Sequence, residues 1–331
     1  MKVSFLVTYY NQREYVRQSL DSILAIEKPD EWEILIGDDG SSDGTVEVVR
    51  DYINRYPNNI FLFIMPRKMD VKYDSVKRAS ANRINLLEHA TGDCFCTLDG
   101  DDFYCNKSFV EDAIKVFDNS PETSVVSFGY KYYTDGIYSK DYVLPGGVRG
   151  HVDKKTYLKS FYLHAGACVH KLCYGKERIE YIKSIGYFDD NDIVINSLNY
   201  GEMYSIPKSI YAYRQTGQSV YTSMREIEQS VLNVQGMDVD FQLIDQSFHS
   251  DLFYRNAYSI ITLYLYRKKI QELLSKERIN LYLHGAQTWN DSACRAFLTN
   301  NIDASLKNKI MCLILRKMKL SLKIYVKKIF G

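Results

Sequence analysis

Residues 93–102 read DCFCTLDGDD, a short apolar run followed at once by Asp99, Asp101 and Asp102. A run of this length and composition reads as a buried strand. Three acids crowded at its end repel one another unless a cation neutralises them. A hard divalent ion such as Mn²⁺ or Mg²⁺ prefers that oxygen-rich setting. Outward from this segment the pattern repeats. KVSFLVT (2–8), WEILIG (32–37), NIFLFIM (59–65) and SVVSFGY (124–130) are further apolar runs. Between them Val46, Val49, Ile53 and Tyr56, and then Phe109, Ala113, Val116 and Phe117, recur at helical spacing. Strands alternating with helices predict an α/β fold, a Rossmann-like, mainly parallel sheet flanked by helices. Open sheets of this kind bind ligands beyond the carboxyl ends of their strands, so the residues just after each strand carry the functional expectation.

Two other strand ends are chemically loaded. After the first comes TYYN (8–11), where Asn11 can cap a helix starting near Gln12 and the tyrosines offer flat faces. A plain strand-to-helix turn is the alternative. After the second comes GDDGSSDGT (37–45), whose Asp38 and Asp39 suit hydrogen bonds from a nucleobase N–H and ribose hydroxyls, against the alternative of a solvated turn.

The chain has 331 residues, of which 46% are hydrophobic and 25% charged, the balance of a folded globular protein. Lysine plus arginine (42) nearly cancels aspartate plus glutamate (41), so no whole-molecule charge calls for nucleic acid as a partner. Seven cysteines, without paired C-x-x-C spacing, fit buried small hydrophobes in a reducing compartment better than zinc ligands. The amino terminus enters a strand pattern directly, without a secretory leader pattern, and no run reaches the ~18 apolar residues of a spanning helix. These features predict a cytoplasmic protein. Residues 131–220 read as irregular and tyrosine-rich, with a turn at LPGGVRG (144–150); beyond 224 glycine and proline nearly vanish. The expected domains are therefore 1–221, with halves 1–105 and 106–221, and a helical C-terminal appendage over 222–331.

TYYN, IGDDGSSDGT, ATGD (90–93) and LDGDD, in this order and spacing over about a hundred residues, resemble family 2 of the inverting glycosyltransferases, with their GT-A fold. The resemblance implies transfer of a sugar from a UDP-sugar to an acceptor hydroxyl, in bacterial surface-polysaccharide synthesis, on a glycan or lipid-linked acceptor. Thr8 and Tyr10 then flank the nucleobase, Asp38 accepts from its N–H, and Arg83 touches the diphosphate unless it is a solvated helix residue. Asp99 lies near ribose and metal, Asp101 binds the metal, and Gly100 and Asp102 line the donor sugar site. In FDDND (188–192) Asp189 and Asp190 match the family's acidic pair, followed by Gly201 and YAYR ending at Arg214. Asp190 is the expected catalytic base, and an Asp pair capping a helix near Asp192 is the alternative. His164, in HAGACVHK, is an acceptor contact or a structural histidine. The chain lacks the family's histidine after Tyr-Arg, reading YRQTGQS instead, where Thr216, Gln218 or Ser219 are weak substitutes. A non-catalytic glycan-binding or scaffold protein of the same fold is the rival reading.

Residues 305–330 place eight lysines and arginines around an apolar stripe. Such a basic amphipathic helix can lie on an anionic membrane surface, here the inner face of the cell membrane, or pair subunits into an oligomer.

Overall fold

The computed structural model describes residues 1–67, 75–144, 147–160, 162–216 and 225–266. The sequence-predicted basic helix over 305–330, the boundary at Tyr221 and the alternatives Gln218 and Ser219 lie outside the described residues. Contacts divide the chain into two units, Met1–Ser219 with Gln242–Ile244, and Val220–Phe241 with Asp245–Gly331.

In the first unit the apolar runs become strands, those at 2–8, 32–37 and 93–98 buried on both faces, the habit of parallel sheets covered by helices, and that at 59–65 an edge strand with Phe61 and Ile64 exposed. They are β1 (Val3–Tyr9), α1 (Val16–Leu24), β2 (Trp32–Asp38), α2 (Thr45–Arg55), β3 (Ile60–Ile64), α3 (Ser75–His89) and β4 (Cys94–Asp99). The chain goes on through β5 (Phe103–Tyr104), α4 (Phe109–Asn119), β6 (Thr123–Thr134), β7 (Ile137–Tyr138), β8 (Gly150–Val152) and α5 (Lys154–Ser160). A 3-10 turn at Ala165–Ala167 leads into β9 (Cys168–Lys171), α6 (Lys176–Ile185), α7 (Asp190–Ser197) and β10 (Glu202–Arg214).

The sheet runs in the order β3-β2-β1-β4-β9-β6-β10-β5, with β7 beside β6 and β8 beside β10. β3, β2, β1 and β4 are parallel; β9 runs against both β4 and β6, and β10 lies parallel to β6. β6, β10 and the first four strands therefore share one direction and end on one side. β6 continues past the expected end at Tyr130 to Thr134, so the tyrosine-rich part of the irregular region is sheet. On α2 the buried stripe is Thr45, Val48, Val49 and Tyr52, not Val46, Val49, Ile53 and Tyr56. Both follow helical spacing, and the sheet selects the stripe that includes the residue following the αL turn at Gly44.

A buried carboxylate ties the sheet to the ATGD segment. Glu33 of β2 accepts from Lys2 (2.8 Å), Ser4 (2.7 Å) and the Thr91 backbone (2.7 Å). A Cβ at Gly92 would fall 2.6 Å from Ser4 Oγ, which explains the glycine there. Among the described residues five cysteines are free thiols, and no helix is long and apolar enough to cross a membrane.

The second unit holds α8 (Glu226–Leu243) up to Phe241 and α9 (His249–Tyr266). Arg255 pairs with Asp240 at 3.0 Å, and Asn233 donates to Ser259 at 3.0 Å.

Candidate active site

β4 delivers three acids onto one short loop. Asp99, its last residue, accepts from Thr8 Oγ1 at the end of β1 and from Arg83 on α3, both at 3.2 Å. Burial pushes its pKa up, but Arg83 and His164, with the two hydrogen bonds, outweigh that and hold it below the usual carboxylate value. Asp102 is buried and accepts from the Tyr211 hydroxyl (2.6 Å) and the Arg214 backbone N–H (2.7 Å). Burial, then the charges of Asp101 and Asp99, push it well above its ordinary value. The same two causes, burial and Asp99, push Asp101 up to about 6. Gly100 is required by packing, because a Cβ there would fall 2.1 Å from the Tyr9 ring.

Opposite this loop stands α7. Asp189 caps it, its carboxylate accepting from the backbone of Asn191 (3.0 Å) and Asp192 (3.2 Å) in a reciprocal capping box with Asp192. The capping alternative thus holds for Asp189. Asp190, the first residue of the helix, instead faces the acids. One of its oxygens lies 3.5 Å from Arg83 and the other 3.4 Å from His164 Nε2. Burial raises its pKa, partly offset by His164 and Arg83. His164 Nδ1 accepts from the Gly166 N–H at 3.1 Å, which leaves the ring N–H on Nε2 pointing at Asp190.

Potential metal-ligand atoms of Asp99, Asp102 and His164 lie within 4.8 Å of one another. Asp101, expected as the metal ligand, is not in that group. Arg214 holds the loop in place. Besides its backbone bond to Asp102, its Nε donates to the Asp101 carbonyl (2.6 Å) and its guanidinium lies over Tyr15, Tyr133 and Phe103 at 4.6, 5.0 and 5.4 Å.

On the β1 and β2 side two expectations change. Asn11 does not cap a helix at Gln12: α1 begins at Val16 with Tyr15 at its cap. With φ at 49°, Asn11 accepts from the Ser42 N–H (2.9 Å) and donates its own N–H to Ser41 (2.9 Å), clamping two loops together. Asp38 is fully buried and turned into its own loop, accepting from Gly40 N (2.9 Å), Ser41 N (2.8 Å) and Ser41 Oγ (2.6 Å). Asp39 reaches further, pairing with Arg67 at 3.2 Å and with Arg78. Arg67 also lies 4.0 Å over the ring of the half-exposed Tyr10.

Sequence reasoning missed Arg67, Arg78, Tyr211 and the Gln12 hydrogen bond to Asp101. Arg67 was within reach, since it follows β3 and the residues after strands were the ones to inspect. Nothing in the spacing marks Tyr211 as a partner of Asp102, 109 residues away.

The family Glycosyl transferase family 2 matches residues 4–176. The chain is 34% identical over 101 residues to the putative glycosyltransferase EpsE of Bacillus subtilis, covering 30% of this chain and 33% of that protein. It is 36% identical over 100 residues to the poly-beta-1,6-N-acetyl-D-glucosamine synthase of Staphylococcus epidermidis, covering 30% and 21%. Three mycobacterial proteins without assigned function match at 28% over 141 residues, 42% of this chain and 38% of theirs. The matches thus span well under half the length of these relatives. Among solved structures, a Staphylococcus aureus TarS fragment in complex with UDP-GlcNAc superposes with a TM-score of 0.58 at 16% identity, over 86% of this chain and 79% of that one. The mannosyltransferase PcManGT of Pyrobaculum calidifontis, in complex with GDP-Man and Mn²⁺, gives 0.50 at 16% identity, over 96% and 86%. These likenesses are of fold, the GT-A arrangement of a mostly parallel sheet between helices. With strand-end acids in family order and a match over more than half its length, the chain belongs to glycosyl transferase family 2.

Proposed function

We propose that this chain transfers a sugar from a UDP-sugar to a hydroxyl of a glycan or lipid-linked oligosaccharide, with inversion at the anomeric carbon, in surface-polysaccharide synthesis. The carrying observation is the position of Asp190 across Arg83 from Asp99, which brings a helix-borne carboxylate against the acids after β4. Asp190 acts as the base. The acceptor O–H bond breaks toward its carboxylate as the oxygen forms a bond to the anomeric carbon. The bond from that carbon to the diphosphate breaks on the opposite face, and its electron pair leaves with the nucleoside diphosphate. Attack opposite the leaving group inverts the centre. Burial that raises Asp190 brings its proton affinity closer to that needed for a base at neutral pH. The His164 Nε2–H, 3.4 Å away, orients its carboxylate. On the donor side the nucleobase contact is assigned to Asp39 and Tyr10, since Asp38 is spent on its own loop.

A divalent cation fits the acidic loop. Asp101 and Asp102 are both raised by burial and by neighbouring acids, the electrostatic mark of a carboxylate group short of positive charge. Asp99 and Asp102 would hold the ion, with Asp101 beside them. His164 does not complete the set, because its Nδ1 is engaged by Gly166 and its Nε2 carries a proton. When bound, the ion would neutralise charge building on the departing diphosphate. Basic residues 305–330 enter the same proposal as a contact with anionic lipid near a lipid-linked acceptor.

The deciding experiment is binding and turnover of UDP- and GDP-sugars with Mn²⁺ or Mg²⁺, for wild type and Asp190→Asn. The reading expects metal-dependent release of UDP, and a variant that binds donor but does not transfer. Absence of any nucleotide-sugar binding by the wild type would overturn it in favour of a non-catalytic glycan-binding protein.

A further inference from the structure

β6 and β10 run side by side in parallel, and their register sets Tyr130 opposite Tyr211 and Tyr132 opposite Tyr213. Alternate residues of a strand share a face, and directly paired residues of neighbouring strands share it too. The four rings therefore form a ladder on one side of the sheet. Tyr142, bridged through its backbone to Tyr130, extends it. Its ring stacks on Tyr130 at 5.2 Å and 11°, and meets Tyr132 edge-on at 5.0 Å. Tyr132 in turn meets Tyr213 at 5.6 Å.

This ladder begins at the candidate base. His164, 3.4 Å from Asp190, lies 4.6 Å from the Tyr211 ring and 5.4 Å from the Tyr213 ring. The inner rung is closed, with Tyr211 buried and its hydroxyl on Asp102; outward, Tyr130, Tyr132, Tyr142 and Tyr213 are only half-buried. On the other face of the same strands Tyr133 is covered by Arg214 and Phe103, so that side is filled by the chain itself. Lys131, between two ladder tyrosines in sequence, points to that other side, over Tyr138 and against Asp141.

We infer that the Tyr130, Tyr132, Tyr142 and Tyr213 ladder is the acceptor subsite, and that it takes a sugar in its pyranose ring form. This rests on the transferase reading and adds the chemical class of the acceptor. A pyranose has a flat face of C–H bonds that matches an aromatic ring, and hydroxyls at its edge that match phenol groups. Tyrosine supplies this amphipathic contact with little side-chain entropy to lose, and rings already packed on one another lose less still. An acyclic polyol chain has no such face.

The test uses the full chain, the UDP-sugar it turns over, and two acceptor panels: alkyl pyranosides, and ribitol or ribitol phosphate. Pyranosides are expected to be glycosylated and the polyols not. Tyr142→Leu and Tyr132→Leu, which keep apolar volume but remove the flat ring, are expected to raise the acceptor KM about tenfold or more. In both leucine variants the donor KM should move less than about twofold. Unchanged acceptor KM in both leucine variants, or polyols used as well as pyranosides, overturns the inference. Acceptor-free hydrolysis of the donor by wild type is read first: its presence isolates any later failure to the acceptor site. Absence of both hydrolysis and donor binding sinks the transferase reading and the inference with it.

Discussion

Arg83 serves two acids at once: its guanidinium lies 3.2 Å from Asp99 and 3.5 Å from Asp190. One residue on α3 thus sets the charge of the loop after β4 and of the candidate base on α7. Both carboxylates in turn hold Arg83 protonated, more than offsetting its burial.

Replacing Arg83 by Gln removes a cation that favours the ionised form of Asp190. Its pKa, already raised by burial, climbs further. The working form is the carboxylate, so the acidic limb of kcat/KM should move to higher pH. Activity lost at pH 6 should partly return at pH 8–9. A uniform loss with an unmoved limb would leave Arg83 as a donor contact only.

Tyr211→Phe keeps a buried ring but withdraws the hydroxyl that donates to Asp102 at 2.6 Å. That bond helps hold the ionised form of a carboxylate which burial pushes up. Affinity for Mn²⁺ should fall by about 10–100-fold, the usual effect of losing an outer hydrogen bond to a ligand. Activity should recover at saturating metal. An unchanged metal midpoint would remove Asp102 from the ligand set.

What the sequence made legible was local. Strands could be read at residues 3–9, 32–38 and 94–99 because apolar runs buried on both faces need no partner to be recognised. The acids after them could be read because strand ends are where such sheets bind ligands. Side-chain direction was not legible. Asp38 and Asp39 are adjacent and alike, yet one folds into its own turn and the other onto two arginines. Asp189 and Asp190 divide similarly between cap and site. Each choice depends on groups brought in from another element: Arg67 and Arg78 for one pair, His164 and Arg83 for the other. The tyrosine ladder needs the register of β6 against β10, strands separated by some seventy residues of chain.

Glu33 offers a test of the fold apart from the site. Burial alone would raise its pKa, but bonds from Lys2, Ser4 and Thr91 hold it below the usual value. Glu33→Gln keeps the shape but loses the charge that these donors serve. It should lower the unfolding free energy by about 1.5–3 kcal/mol, read by urea denaturation at pH 7. No loss of stability would mean that the network is not holding the ATGD segment.

His170 adds to the loss of stability toward acid. Its ring is fully buried, stacked on Phe95 at 4.8 Å, with Nδ1 2.9 Å from Ser197 Oγ. Burial holds its pKa down to about 3, against 6.5 for an unhindered imidazole. Above pH ~6.5 the ring is neutral whether the chain is folded or unfolded, and it contributes no pH dependence. Between about 6.5 and 3 the unfolded chain takes up a proton that the folded chain refuses. Stability must therefore fall as pH falls, by up to ~1.4 kcal/mol per pH unit from this group alone. In His170→Phe that proton is gone and the ring packing is kept. Ser197 Oγ retains its bonds to Tyr174 and the Ile193 carbonyl. Urea denaturation at pH 7, 6 and 5 should show the two proteins diverging toward acid, with the variant losing less. Parallel curves would mean that His170 takes up its proton in the folded chain as readily as in the unfolded one.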